Sequence, residues 1–368
     1  MPLCQTTINL KTMIFSTYIR YMNIDILAPE ELELLRQLIA DAQHIIICGH
    51  KSPDGDALGS SLAWCDYLKS QCGKQPTVVM PDAYPDFLRW LPNSDRIVRY
   101  DKHQEEVKQL FQKADLVFCL DFGSTGRVDE MQPVLEASPA KRVMVDHHTN
   151  ADMDTVLSVS RTDASSTSEL IFRIIWQLGG FERMTCQAAV SIYCGMMTDT
   201  GGFTYNSSRP DIFFIISQLL TKGFDKDKIY RNVYNNYSQW AIRLRGYMMS
   251  QKLNVFEDFH ASYFAISRSD MRDFHFVKGD AEGLVNVPLS IKGMKLSVSL
   301  REDDRKDNLV WVSLRSVDDF PCNEMAAEFF NGGGHVNASG GRLYCSLDEA
   351  EKVVRQAFIH YEDWLKRK

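Results

Sequence analysis

Short runs that are apolar at every position, alternating with amphipathic helices, constrain this chain more than any other feature. The run "HIIIC" before Gly49 and His50 suits a strand buried on both faces, as found in parallel sheets covered by helices. The grammar repeats. Pro29 and "EELELLRQLIADA" predict a helix with proline in its first turn and acidic residues at its positive end. "DALGSSLAWCDYLKSQCG" predicts a helix closed by Gly73, "PTVVM" a strand, "HQEEVKQLFQKA" a helix, and "DLVFCL" and "RVMV" two further strands. Such alternation implies an α/β domain with a parallel sheet and right-handed crossovers.

From Ser165 to about Ser250 the pattern turns helical, in "SSTSELIFRIIWQLGG", "CQAAVSIYCGMMT", "RPDIFFIISQLLTKG" and "SQWAIRLRGYMMSQKL". Beyond Leu253 the period switches to two, in "ASYFAIS", "MKLSVSLRE" and "LVWVSLRS", before a last amphipathic helix from Leu347. This predicts a smaller mixed α/β domain with a partly antiparallel sheet. The expected organisation is therefore a leader over 1–23, a first domain over 24–225, a helical linker over 226–252 and a second domain over 253–368. The leader has no acidic residue and carries Lys11 and Arg20, but lacks the apolar centre of a secretory signal; folding is expected to begin near Met22 or Ile24.

Composition narrows the function. At 368 residues, 45% hydrophobic and 24% charged, the chain has the make-up of an ordinary globular protein of two or three domains. The charge of -7, from 41 Lys plus Arg against 48 Asp plus Glu, disfavours a protein that tracks long nucleic acid. It leaves short phosphorylated substrates open. None of the nine cysteines forms a CxxC pair, and Cys48 and Cys119 sit in strand-like apolar runs. A reducing, cytoplasmic setting is expected. No stretch approaches the ~20 apolar residues that span a bilayer, so no membrane partner is expected.

The chemistry lies at the strand ends. "HIIICGH" runs into His50, with Asp54 and Asp56 following in "HKSPDGDALGS"; "DLVFCLD" ends on Asp121; "RVMVDHH" ends on Asp146, His147 and His148. Asp199, in "GMMTDTGGF", closes an apolar helix. Each piece has a structural use of its own, as a turn or a helix cap. Together they fall on the carboxyl edge of one sheet, where open α/β sheets bind ligands. Clustered carboxylates repel, and burying them unpaired is costly, so cations belong among them. Asp and His suit Mn2+ or a related ion, and ligands in excess of one ion's needs suggest a bridged pair. Paired ions of this kind activate a water and steady the leaving oxygen in phosphoryl hydrolysis.

In the second domain "NGGGHVNASGG" contains three successive glycines, expected to form a nest of amides around an anion. Gly333, Gly334, His335, Asn337 and Ser339, with Arg301 and Arg315 at the ends of the two preceding strands, form a candidate phosphate or nucleotide cradle. Arg127, soon after Asp121, is a further phosphate candidate. "SSTSE" reads as a helix start with a Ser or Thr cap and Glu169 in the first turn. The aromatics of "QWAIRLRGYMM" read as interdomain packing, and Phe203 and Tyr205 as either pocket lining or core.

"HKSPDGDALGS", "LDFGSTGR", "VDHH" and "MMTDTGGF", in that order, resemble the four signature motifs of the DHH phosphoesterase superfamily, and "NGGGHVNASGG" resembles that of its associated substrate-binding domain. The resemblance runs from about Ile24 to the end. It is nearest to the subfamily of bifunctional oligoribonucleases and pAp phosphatases. It implies His50, Asp54 and Asp121 on one metal ion and Asp56, Asp121, His147 and Asp199 on the other, with Asp121 as the bridge. It further implies that Asp146 orients a histidine and that His148 faces the scissile phosphate.

The expected function is thus a hydrolase that holds two divalent ions, with Mn2+ as the expected species. Its substrates would be very short RNA oligomers and 3′-phosphoadenosine 5′-phosphate, and a homodimer is compatible with the sequence. Linear or cyclic dinucleotides, polyphosphate or pyrophosphate are the alternative substrates. A nucleotide-binding regulator with a dead centre is disfavoured because every expected ligand position holds a competent residue.

Overall fold

The computed structural model describes residues 24–149, 151–277 and 279–367. The leader over 1–23 lies outside the described residues. The chain divides after Asn235 into two compact units.

Among the described residues of the first unit, six strands form one parallel sheet in the order β3-β2-β1-β4-β5-β6. They are β1 (Ile45–Cys48), β2 (Thr77–Met80), β3 (Val98–Arg99), β4 (Leu116–Leu120), β5 (Lys141–Asp146) and β6 (Leu157–Ser160). The central strands are apolar throughout because both faces are covered. Ile45, Ile47, Phe118, Leu120 and Val145 face one core, shared with helices α1 (Pro29–Asp41), α2 (Gly55–Cys72), α5 (Thr167–Gln177) and α6 (Cys186–Asp199). Ile46, Cys48, Val117 and Cys119 face the other, where α3 (Gln104–Lys113) contributes Val107 and Phe111 and α4 (Gln132–Glu136) contributes Leu135. Each such buried side chain contributes about 1.5–3 kcal/mol relative to exposure. Helix α2 ends as expected at Gly73, whose φ of 66° is the left-handed conformation that glycine adopts without strain. The edge strands β3 and β6 escape the sequence pattern because they are only partly apolar: β6 alternates buried and exposed residues.

The segment expected as a linker is divided between the units. Helix α8 (Lys226–Tyr234), which follows α7 (Pro210–Leu220), places Ile229 and Val233 in the first unit's core. Helix α9 (Gln239–Tyr247) gives Leu244 to a cluster with Phe264, Ile266 and Leu284. The α9 aromatics pack within the second unit, Trp240 on His275 and Tyr247 on Phe274.

The second unit carries a mixed sheet in the order β11-β12-β10-β9-β8-β7. It comprises β7 (Asn254–Phe256), β8 (Ala261–Ile266), β9 (Leu296–Glu302), β10 (Val310–Ser316), β11 (Gly333–His335) and β12 (Ala338–Leu343). Among the described residues of this sheet, only the β8–β9 pairing is parallel. Val298, Leu300, Val312 and Leu314 face a core with α10 (Cys322–Phe329) and α11 (Leu347–His360). Two expectations need correction. The glycine triplet is no loop nest: Gly333 and Gly334 belong to edge strand β11, paired with Gly340 and Ser339. Arg301 and Arg315 do not end side by side, because β9 and β10 are antiparallel. Arg301 faces Trp311 while Arg315 faces Ser297, about 13 Å further along the sheet at ~3.3 Å per residue.

Candidate metal centre

The order of the first sheet reverses between β1 and β4, which makes the carboxyl edge there a crevice. Parallel pairing of β1, β4 and β5 sets their ends side by side. His50 follows β1, Asp121 follows β4, Asp146 ends β5, and His147 and His148 follow it. The amide of Asp121 still continues the ladder by donating to the carbonyl of Val145 at 3.0 Å. Its φ of 69° then turns the chain sharply, a conformation that Asp tolerates better than most residues.

Helix α2 begins in the same crevice. Asp54 is its N-cap, accepting from the amides of Asp56 at 2.9 Å and Ala57 at 3.1 Å. That capping bond holds its Oδ1 3.9 Å from His50 Nε2. His50 Nε2 also lies 3.4 Å from Asp121 Oδ2. On the other side of Asp121, His147 Nε2 lies 3.5 Å from Asp121 Oδ1, 3.8 Å from Asp56 Oδ2 and 3.3 Å from Asp199 Oδ2. The structure therefore gathers all six residues into two sets that meet at Asp121. Ligand atoms of His50, Asp54 and Asp121 lie within 4.8 Å of one another, and so do those of Asp56, Asp121 and His147.

The donor set fits divalent ions. The Nδ1 atoms of His50 and His147 face the carbonyls of Lys51 at 2.8 Å and Ala164 at 3.4 Å, which directs each Nε2 at carboxylate oxygens. An imidazole anchored this way through its second nitrogen is the usual posture of a ligating histidine. Asp146 is fully buried; its Oδ1 meets His148 Nδ1 at 2.8 Å, and its Oδ2 has no hydrogen-bond partner among the described residues.

Electrostatics suit the binding of cations. Burial, followed by the charges of Asp121 and Asp199, pushes the Asp56 carboxyl well above its ordinary range. Burial likewise lifts Asp199 to about 6, with His147 opposing and Asp54 and Asp121 reinforcing the rise. Asp121 goes the other way: burial opposes its ionisation, but His147 and His50 outweigh it and hold the carboxyl well below the usual range. His147 is held well above its ordinary value despite burial, by Asp199, Asp121 and Asp56. Cations bound among these groups would displace protons that such shifts favour.

The remaining candidates lie on other elements. Arg127 is exposed in the 3-10 segment Thr125–Met131, where its carbonyl accepts from the Lys51 amide at 2.8 Å. Phe203 packs on Tyr193, whereas Tyr205 is 40% exposed. In the second unit, Arg315, His335 and Ala338 share one end of the sheet, Arg315 and His335 each pairing across to Ala338. The Asn337 side chain donates to Ser316 Oγ at 2.9 Å, and Ser339 Oγ donates to the carbonyl of His335 at 2.7 Å, so both shape the β11–β12 turn. Arg301 lies over the Phe276 ring, and burial lowers its pKa.

Sequence reasoning missed the segment Ala164–Glu169. Its serine cap is as expected, Ser166 Oγ accepting from the Glu169 amide at 3.0 Å. Yet the amides of Thr167 and Ser168 also reach Asp56, at 2.6 and 2.8 Å, and Thr167 Oγ1 reaches Asp121 at 3.0 Å. The signal that marks polar "SSTSE" out is the burial of every one of its residues, and that burial exists only in the fold.

A doubly wound α/β unit with an acid-and-imidazole centre at its switch point, joined to a mixed-sheet unit, defines the class. Residues 44–196 match the DHH family N-terminal domain, and residues 263–360 match the DHHA1 domain. The chain is 30% identical over 314 residues to a probable bifunctional oligoribonuclease and PAP phosphatase NrnA of Streptococcus mutans, covering 85% of this chain and 93% of the relative. It is 29% identical over 316 residues to the bifunctional oligoribonuclease and PAP phosphatase NrnA of Bacillus subtilis, covering 84% and 92%. The crystal structure of an exopolyphosphatase-related protein from Bacteroides fragilis superposes with a TM-score of 0.88 at 46% identity, covering 93% of this chain and 99% of that one. The chain belongs to the DHH family of phosphoesterases.

Proposed function

We propose that this chain hydrolyses short RNA oligonucleotides and 3′-phosphoadenosine 5′-phosphate with the help of two divalent ions, Mn2+ being the expected species. The observation that carries the proposal is the pair of ligand sets meeting at Asp121. The names of the Streptococcus and Bacillus relatives, each covered almost in full, support the substrate class. His50, Asp54 and Asp121 would hold one ion, and Asp56, Asp121, His147 and Asp199 the other. When bound, such ions act as Lewis acids on a phosphoryl oxygen and lower the pKa of water.

The chain's own residues supply the rest. Asp146 fixes the His148 ring through Nδ1, so that imidazole is held as a donor toward phosphoryl charge. Burial of Asp56, Asp121 and His147 excludes bulk water and strengthens every charge interaction. In the second unit Arg315, His335, Asn337 and Ser339 would recognise phosphate, with Gly333 and Gly334 lining its approach; Arg301, further along the sheet, and Arg127 of the first unit are separate phosphate candidates. A short substrate accords with the net charge of -7.

The test is turnover of labelled RNA dimers to pentamers, pAp, cyclic dinucleotides and pyrophosphate by the full chain with Mn2+, beside Asp121→Ala. Turnover of the RNA dimers and pAp, lost in the variant, is expected. Equal turnover by both proteins would reject the site, and turnover confined to cyclic dinucleotides or pyrophosphate would reassign the substrate.

A further inference from the structure

We infer that Thr167 is a positioning residue for the shared carboxylate Asp121, and that a buried clamp centred on Glu169 anchors the turn that carries it. The inference rests on the reading of the cluster as a metal centre.

One short segment touches three of the ligand side chains. The Ala164 carbonyl faces His147 Nδ1. The amides of Thr167 and Ser168 take one oxygen of Asp56 each, at 2.6 and 2.8 Å. Thr167 Oγ1 donates to Asp121 Oδ1 at 3.0 Å, the oxygen that also faces His147. Asp56 and Asp121 repel each other, so nothing in their own charges fixes their rotamers. The donors of this turn do. Asp121 belongs to both ligand sets, so a rotation about its side chain would misplace an oxygen of each.

The turn itself is held more strongly than a capping motif requires. Glu169 is fully buried. Its Oε2 accepts from the Ser165 amide at 2.7 Å and the Ser165 hydroxyl at 2.6 Å. Its Oε1 accepts from Arg173 Nε at 2.8 Å and Arg209 Nη2 at 2.5 Å. Arg173 is 3% exposed and also pairs with Asp211, next to α7's Pro210. A carboxylate buried this deeply is tolerated only when its partners are complete, so the arrangement acts as a unit. It ties residues 165–169 to α7 and thereby fixes where the Thr167 hydroxyl stands.

Mn2+ binding to the full chain, followed by calorimetry and by electron paramagnetic resonance, tests this for wild type, Thr167→Val, Thr167→Ser and Arg209→Gln. Loss of a partner that orients a ligand typically weakens metal binding about 10–100-fold. Thr167→Val is expected to weaken Mn2+ binding in that range, lower kcat at limiting Mn2+, recover kcat as Mn2+ is raised, and leave KM for an RNA dimer unchanged. Thr167→Ser should restore binding. Arg209→Gln, which touches no ligand, should weaken Mn2+ in the same direction while remaining folded by circular dichroism. Wild-type Mn2+ affinity in Thr167→Val, or equal loss in Thr167→Ser, overturns the role of Thr167; wild-type affinity in a folded Arg209→Gln overturns the clamp. Failure of the wild type itself to bind Mn2+ would instead reject the metal reading beneath both.

Discussion

A β-carbon on Gly195 would stand 2.0 Å from the hydroxyl of Ser168 and 2.9 Å from Asp56 Oδ1. Helices α2, α5 and α6 converge so tightly at the floor of the centre that only a residue without a side chain fits. Gly195→Ala should therefore destabilise the fold by about 1–3 kcal/mol through overpacking and weaken Mn2+ binding by displacing Asp56. On Gly246, inside α9, a β-carbon would meet nothing within 4 Å. Gly246→Ala should stabilise by about 0.5–1 kcal/mol. Denaturant unfolding of the two variants checks both signs; stabilisation by Gly195→Ala would contradict the packing.

The pH response of the centre follows from Asp199, lifted to about 6. Below that pH the carboxyl holds a proton that an incoming cation must expel, and His147, held well above its ordinary value, surrenders another. Mn2+ affinity should fall as the pH drops through 6, and binding should release protons. Calorimetry in buffers of different ionisation enthalpy measures that release directly; a binding heat independent of buffer would refute it.

The same shift carries a stability consequence in the metal-free protein. A carboxyl whose folded pKa lies above its unfolded value binds more protons when folded, so its contribution weakens stability as pH rises through about 6. Asp199→Asn should therefore raise the metal-free Tm at pH 7.5, where the wild-type carboxylate repels Asp54 and Asp121. It should also abolish most of the Tm increase produced by Mn2+, which in the wild type is worth about 2.7 kcal/mol at a hundredfold excess over Kd. A lower metal-free Tm in the variant would show that repulsion is not the governing effect.

His148 is braced by Asp146, its Nδ1 lying 2.8 Å from Asp146 Oδ1 and 3.7 Å from Asp121 Oδ1. If it acts on the phosphoryl group, His148→Asn should lower kcat about 10²–10⁴-fold with Mn2+ affinity nearly intact. His147→Asn should lose both. Single-turnover kinetics at saturating Mn2+ distinguish the two, and equal metal loss in His148→Asn would place that residue among the ligands.

Much of this protein was written in local pattern. The all-apolar runs at Ile45–Cys48, Leu116–Leu120 and within Lys141–Asp146 announce a covered parallel sheet because both faces must be buried. Ligand residues at their ends follow because parallel strands share one carboxyl edge. The tertiary structure alone decided what depends on partners distant in sequence. Thr167 lies 111 residues from Asp56 and 46 from Asp121, and its polar neighbours resemble any helix cap until the fold buries them. The separation of Arg301 from Arg315 and the strand made by Gly333–His335 likewise depend on antiparallel register. Periodicity encodes which face of an element is buried; it carries no record of which remote element supplies the hydrogen bonds.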